Sequence, residues 1–225
     1  DISNVVNGEP QLSTAATGNS AANSYPIVIS PGTLSAANYD FSFVNGTLTV
    51  NKATLTVAAE NKAKVFGEAL PEFTFSFAGF INGDTASVIN GTPALSSPAT
   101  ASSNVGQYPI TIAAGTLTTA NYDFVFTNGT LTISKAMLTV KADDKSRVYG
   151  AANPVFTTTI TGFVNGETTN ILTGEAALST SANVGSAVGS YAIQVSAGSL
   201  ASSNYDFTFI NGALTISKAV LTITA

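Results

Sequence analysis

Cysteine, histidine and tryptophan are absent from the 225 residues, and methionine occurs once. Without cysteine there is no disulfide and no thiolate metal site, and the redox compartment stays open. Without histidine the commonest general base and the commonest metal ligand are gone. Charge is scarce too. Charged residues make up 9% of the chain, against about a quarter in an ordinary globular protein. The eight Lys and Arg are outnumbered by 13 Asp and Glu, for a net charge of −5. That balance provides no basic stripe for nucleic acid. No stretch of eighteen apolar residues exists, so no membrane insertion is expected within this segment. No signal sequence is visible at Asp1, so the chain reads as a mature one or a fragment of a longer one.

What is present is apolar β-forming sequence, 44% hydrophobic, enough to build cores. Its organising stretch is Asn121-Tyr122-Asp123-Phe124-Val125-Phe126-Thr127-Asn128-Gly129-Thr130-Leu131-Thr132-Ile133. Close copies begin at Asn38 and Asn204, giving a period of 83 residues. A fixed period of this kind marks a repeat array. Within the motif, two aromatic and β-branched runs flank Asn128-Gly129. The pattern predicts a β-hairpin with a type I′ turn, which needs positive φ at both central residues.

The period divides the chain without a gap. Residues 1–52 are a partial repeat without the front third, and Asp1 takes the place of Asp84 and Glu167. Residues 53–135 and 136–218 are full repeats, and 219–225 match the first strand of another. In the first full repeat Leu55, Val57 and Ala59 alternate with smaller or polar residues, as do Phe73, Phe75 and Phe77. Both read as strands with one buried face. Asp84 to Gly91 has the signature of a short helical turn, with Asp84 as N-cap. Apolar parity changes from Leu131 and Ile133 to Leu138 and Val140 with no linker between. A one-residue shift exchanges the buried face. Such junctions predict direct strand-to-strand passage and stiff end-to-end stacking as a rod.

The expected fold is therefore mostly β: tandem small sandwiches or half-open barrels, Ig-like or β-grasp-like, each with one helical turn. One sheet is expected to carry Phe73, Phe75 and Phe77. The other is expected to carry Tyr108, Ile110 and Ile112 with Phe124 and Phe126.

Three pieces carry a family resemblance: Val148-Tyr149-Gly150-Ala151, Thr161-Gly162-Phe163-Val164-Asn165-Gly166-Glu167, and the Asn-Tyr-Asp-Phe stretch. Together they resemble the MBG repeats (YGX type) of large bacterial surface and secreted proteins. The first full repeat has Val65-Phe66-Gly67, with phenylalanine in the tyrosine's place. The resemblance implies an extracellular, adhesin-like array and brings no catalytic or ligand residues with it.

Candidate sites are few. Asp40, Asp123 and Asp206, one per repeat, are candidate calcium ligands, although one carboxylate per unit is sparse for a hard cation. A local turn explains them as well. Tyr39, Tyr122 and Tyr205 are candidates for an exposed sugar- or protein-binding surface. Tyr25, Tyr108 and Tyr191 read as core. Asp143-Asp144 with Lys145 and Arg147 is the densest charge cluster and reads as a solvated loop that its counterpart Glu60-Asn61-Lys62 does not reproduce. Lys52, Lys135 and Lys218 sit at the junctions, as edge lysines or isopeptide donors. Asn45, Asn90 and Asn128 match the glycosylation pattern, which the turns already explain. Glu72, Glu167 and the Asp143-Asp144 pair occupy unlike positions in like units, which argues against an enzyme.

The expected role is thus a non-enzymatic structural segment of a bacterial cell-surface adhesin or filament, with no cofactor. The alternatives are an adhesive module for host or matrix glycan or protein, and a fibre subunit completed head to tail by strand donation. Partners are then adjacent repeats or identical subunits. The front module's core is expected to need residues outside 1–52.

Overall fold

In the computed structural model residues 5–225 are described, and they are almost entirely strand and loop. The front segment holds β1 (Gln11–Thr14), β2 (Asn23–Ser30) and β3 (Gly46–Val50). The first full repeat holds β4 (Ala53–Ala59), β5 (Lys62–Val65), β6 (Phe75–Ala78), β7 (Ala94–Ser96), β8 (Gly106–Ala113), β9 (Tyr122–Thr127) and β10 (Gly129–Ser134). The second holds β11 (Ala136–Ala142), β12 (Lys145–Val148), β13 (Thr158–Thr161), β14 (Ala177–Thr180), β15 (Gly189–Ser196), β16 (Tyr205–Ile210) and β17 (Gly212–Ser217). Each full repeat has one 3-10 turn, Ala86–Val88 or Thr169–Ile171. No helix among the described residues is long and apolar enough to cross a membrane.

The second repeat shows the module whole. β11 lies between β13, antiparallel, and β16, parallel, with Val140 opposite Ile160 and Leu138 opposite Phe207. A second, four-stranded sheet runs β12-β17-β15-β14. Its β12 is parallel to β17, and the other pairs are antiparallel. Val140, Ala142, Ile193, Val195, Leu214 and Ile216 form one buried cluster, with Ile160, Phe207 and Phe209 packed against it. Removing a large aliphatic side chain of this kind from water contributes about 1.5–3 kcal/mol. The alternating strands thus close into a half-open two-sheet barrel.

By contacts the described chain divides into two compact units, and the division runs through the first full repeat. One takes in the front segment to Glu60 with Phe73–Ser96 and Ile110–Gly129, and the other holds Asn61–Glu72, Ser97–Pro109 and Thr130 onward. In the first unit β4 pairs with β6 antiparallel and β9 parallel, as β11 does 83 residues later. Leu55 and Val57 are fully buried there, and the phenylalanines of β6 are half-buried on one face.

The Asn128-Gly129 hairpin does not form. β9 belongs to the sheet of β4 and β6, whereas β10 pairs with β5. Neither Asn128 nor Gly129 has positive φ. Instead the chain passes from one sheet to the other at Asn128. Its Oδ1 accepts from Ile112 N at 3.1 Å. Gly129 is needed for space, since a Cβ there would lie 2.8 Å from the carbonyl oxygens of Ala59 and Glu60. Phe124 and Phe126 consequently share a sheet with Phe75 and Phe77, not with Ile110 and Ile112. A type I′ turn forms instead at Asn82-Gly83. Asn82 and Gly83 have φ of 55° and 79°, and Asp84 N closes on Ile81 O at 2.9 Å. The helical turn that follows is capped by Thr85, whose hydroxyl accepts from Ser87 N, and not by Asp84.

The parity change at the junctions is present. Leu131 and Ile133, then Ala136, Leu138 and Val140, are all buried. The front segment does not close a core of its own, since none of residues 5–52 is buried. Residues 39–44, equivalent to β9 and β16, form no strand. Ala219–Ala225 is likewise not a strand, and Leu221 and Ile223 stand exposed. A first strand is held between two partners in β4 and β11, and the tail has neither among the described residues.

Candidate functional site

The Asn-Tyr-Asp stretch builds the joint between one repeat and the next, and each of its residues has a separate task. Asparagine clamps. Asn121 Oδ1 accepts from Ala22 N at 3.0 Å, and Asn204 Oδ1 accepts from Val105 N at 3.1 Å. Each therefore satisfies a main-chain donor in the loop of the preceding repeat. Asn204 also donates from Nδ2 to Asn104 Oδ1 at 2.9 Å. The main-chain oxygens of Asn121 and Asn204 accept from Ala53 N and Ala136 N, where the first strands begin.

Tyrosine fills the joint. Tyr122 and Tyr205 are 2% and 0% exposed, the largest fully buried side chains among the described residues. The Tyr122 hydroxyl donates to Asp84 Oδ2 at 2.8 Å and accepts from Ile81 N at 3.1 Å. Tyr205 makes the same pair of bonds, to Glu167 and from Val164 N. Burial is the main cause that pushes both phenols above their usual range, and the acidic partner adds to it. The third such tyrosine, Tyr39, is 62% exposed, and its would-be acid, Asp1, lies outside the described residues. Aspartate pairs across the junction. Lys135 Nζ lies 3.4 Å from Asp206 Oδ1, and Lys52 Nζ lies 3.8 Å from Asp123 Oδ1.

The other half of the second joint is Val65-Phe66-Gly67. Phe66 is 2% exposed and meets Tyr205 edge-on, with ring centroids 5.5 Å apart. Phe163 flanks the same ring at 5.8 Å. Gly67 has φ of 87°, and a Cβ on it would fall 2.4 Å from a methyl carbon of Val164. The backbone comes this close because glycine has no side chain. Two residues before the aromatic, a cation is folded in. Lys64 Nζ donates to the carbonyls of Glu68 and Ala101 at 2.8 and 2.7 Å. Its counterpart Arg147 reaches Asn153 Oδ1 at 2.7 Å and the carbonyls of Val148 and Asn183. Nothing in composition announced these buried cations. For Lys64, parity with the buried Phe66 was the available signal.

At the first joint a cleft of about 230 Å³ lies beside Tyr122, Ile81, Asp84 and the loop around Gly18.

The remaining candidates fall elsewhere. The tyrosines chosen for exposure include the two most buried rings in the chain, so a sugar-stacking row of Tyr39, Tyr122 and Tyr205 does not exist. Tyr25, Tyr108 and Tyr191 are half-buried, each hydroxyl donating to the carbonyl four residues upstream. Asp40, Asp123 and Asp206 are separate, and no three acidic side chains gather among the described residues. The Asp143-Asp144 pair is not a free solvated loop. Asp143 accepts from the hydroxyls of Thr157 and Thr159, which hold its carboxyl below the usual range. Asp144 Oδ1 accepts from Ala213 N at 2.8 Å. The first repeat does reproduce this. Glu60 takes the Thr74 hydroxyl and Asn61 Oδ1 takes Thr130 N. Both partners of the Lys135–Asp206 pair are exposed, unlike the buried carboxylate an isopeptide bond requires. Asn45 and Asn128 use their side-chain oxygens on Ile29 N and Ile112 N.

The family model of the MBG domain (YGX type) matches residues 1–49, 55–132 and 138–215. The chain belongs to that family, as three tandem copies. No curated protein matches it.

Proposed function

We propose that the chain is a non-enzymatic structural segment of a bacterial extracellular protein, a stalk or fibre portion of a cell-surface adhesin. The observation that carries this reading is the joint. Two successive junctions repeat the asparagine clamp, the buried tyrosine and the lysine–aspartate pair at an 83-residue offset. Conserving side-chain chemistry at the junctions, rather than in a cleft, suits a segment whose work is to hold its neighbours in register. The bland surface, with 9% charged residues, fits an extracellular spacer. Partners are adjacent repeats, and no cofactor is invoked. The test is surface shaving. In intact source cells, an antibody to the segment should bind, and external protease should remove the epitope. An epitope found only after lysis would refute the reading.

A second reading is favoured by the strand register of the first sheet. In β11, Ala136 faces Tyr205 and Leu138 faces Phe207 in parallel register. Ala219 and Leu221 are the equivalent residues of the tail, and Tyr39 and Phe41 those of the front segment. The tail of one copy laid along residues 39–44 of another would supply a first strand, head to tail. Concentration-dependent self-association, lost on deleting Ala219–Ala225, supports it. A monomer at all concentrations refutes it.

A further inference from the structure

We infer that the open side of the second repeat's barrel binds a small molecule carrying one aromatic ring and an ammonium group. β13 is the terminal strand of its sheet, and β14 is the terminal strand of the other. Between these two edges lies a cleft of about 330 Å³, lined by Thr158, Ile160, Leu172, Glu175, Leu178 and Leu200 among others. Thr158 lies opposite Ala142 and Ile160 opposite Val140, both fully buried, so the two side chains point between the sheets. An apolar cavity of about 150 Å³ lined by Leu, Ile and Phe already binds benzene, and ligand clefts begin at about 300 Å³.

The first repeat shows what the cleft is shaped for. Phe75 and Phe77 stand 83 residues before Thr158 and Ile160. They lie opposite Ala59 and Val57 in the same register, so their rings leave equivalent backbone positions on the same face of the sheet. The two rings meet edge-on at 5.4 Å, and Phe80 joins Phe77 at 5.8 Å. The second repeat keeps the apolar floor, with Leu172, Leu178 and Leu200 in the places of Ile89, Leu95 and Leu117. It gives up the rings, since threonine and isoleucine replace them. The space between the edges is thus that of an absent phenyl group. The rim changes as well. Glu175 stands exposed where the first repeat has Thr92, and no lysine or arginine lines the cleft among the described residues. A ring fills the apolar floor while an ammonium meets the carboxylate, and the two together set the ligand class. Neither change draws on a neighbouring repeat, since every lining residue lies within 156–200.

The probe is phenethylamine, titrated into the full chain and followed by amide NMR. Saturable shifts are expected at Ile160, Leu172, Glu175 and Leu178, with Val57, Phe77 and Leu95 of the first repeat unmoved. Benzyl alcohol, a ring without the cation, should shift the same amides but bind more weakly. Thr158→Phe returns the ring of the first repeat and should abolish binding of both. Glu175 is exposed, so Glu175→Gln should leave the fold intact. It should weaken the amine about two- to fivefold, the range of an exposed ion pair, and leave benzyl alcohol unchanged. Should Thr158→Phe fail to fold, the Glu175→Gln comparison decides alone. Loss of the difference between amine and alcohol supports the inference, and its persistence overturns it. No saturable shift at about 10 mM amine, tenfold above the Kd of 1 mM at the weak end of specific affinity, would also overturn it. So would equal affinities for phenethylamine and phenylacetate, since the carboxylate would then select nothing. Tenfold tighter binding of an uncharged phenylalanine peptide would assign the cleft to a protein segment instead. The stalk reading rests on the joints, so it stands or falls separately.

Discussion

Replacing Asn204 by alanine should destabilise the protein, whereas the same change at Asn38 should not. The two asparagines open the same motif, so composition, propensity and local sequence are nearly matched. What differs is the joint. Asn204 satisfies Val105 N at 3.1 Å and Asn104 Oδ1 at 2.9 Å. Asn38 is exposed and holds no such clamp among the described residues. A net hydrogen bond contributes about 0.5–1.5 kcal/mol, and a part-buried donor left unsatisfied costs about 1–3 kcal/mol. The Val105 amide is such a donor. Its loss, with that of the Asn104 bond, sets the expected cost of Asn204→Ala at about 1.5–3 kcal/mol. For a chain of this length each kcal/mol lowers Tm by roughly 2–4 °C. A fall of roughly 3–12 °C is therefore expected for Asn204→Ala, and less than about 0.5 kcal/mol for Asn38→Ala, the usual range of a surface change. Scanning calorimetry on the two variants and their double mutant measures both. Equal, small effects would show that the clamp contributes nothing and that the joint is held by apolar contact alone.

Gly129→Ala should destabilise by about 1–3 kcal/mol, the usual cost of forcing atoms into a filled site, because its Cβ meets Ala59 O and Glu60 O. Gly83→Ala, in open space at φ of 79°, should cost only the left-handed penalty of about 1–2 kcal/mol. Denaturant midpoints at unchanged m-value test both. Asp206→Asn should cost less than about 1 kcal/mol, the ceiling for an exposed ion pair, since its pair with Lys135 is open to water, and moderate salt should erase the difference. Stability should decline at both ends of the pH scale. Asp143, with its folded pKa lowered, contributes stability present above the ordinary carboxylate range and lost as pH falls through the lowered value. Tyr122 and Tyr205, with folded pKa raised, contribute stability present below pH of about 10 and lost as pH climbs through the raised values. In Tyr205→Phe the alkaline limb should shrink while the acid limb stays.

Much of the fold was legible in the residues. Leu55, Val57 and Ala59 announced a strand with one buried face, and the parity swap between Ile133 and Leu138 announced a passage between faces. The hairpin was not decidable. In a two-residue hairpin Phe126 would face Leu131 and Phe124 would face Ile133, all on one side. In the observed crossover the same four residues are also buried or half-buried, in two different sheets. Alternation is identical in the two cases, so it carries no information on which sheet receives β10. Asn82-Gly83 and Asn128-Gly129 look alike as well. What separates them is tertiary: Gly129 lies against the turn at Ala59 and Glu60, and Gly83 lies against nothing. The tyrosine error has a related cause. Aromatic residues next to Asp and Asn look exposed, but Asp84 and Glu167, some 38 residues upstream, supply the hydrogen-bond partners that make burial tolerable.

The position of the joint also explains why the compact units do not coincide with the sequence repeats. A repeat can be cut from a periodic sequence at any phase, and the choice of Ala53 or Ala136 as a start follows the first strand. Physical cohesion follows contacts instead. Asn121 reaches back to Ala22, and Asn204 reaches back to Val105, so each unit encloses one joint whole. In the recurring Asn-Tyr-Asp-Phe stretch, the asparagine and the aspartate are the residues whose partners lie in the preceding repeat. The asparagine reaches the previous loop and the aspartate the previous lysine, whereas the tyrosine hydroxyl is satisfied within its own repeat. Half of the motif's polar contacts therefore form only where two repeats meet.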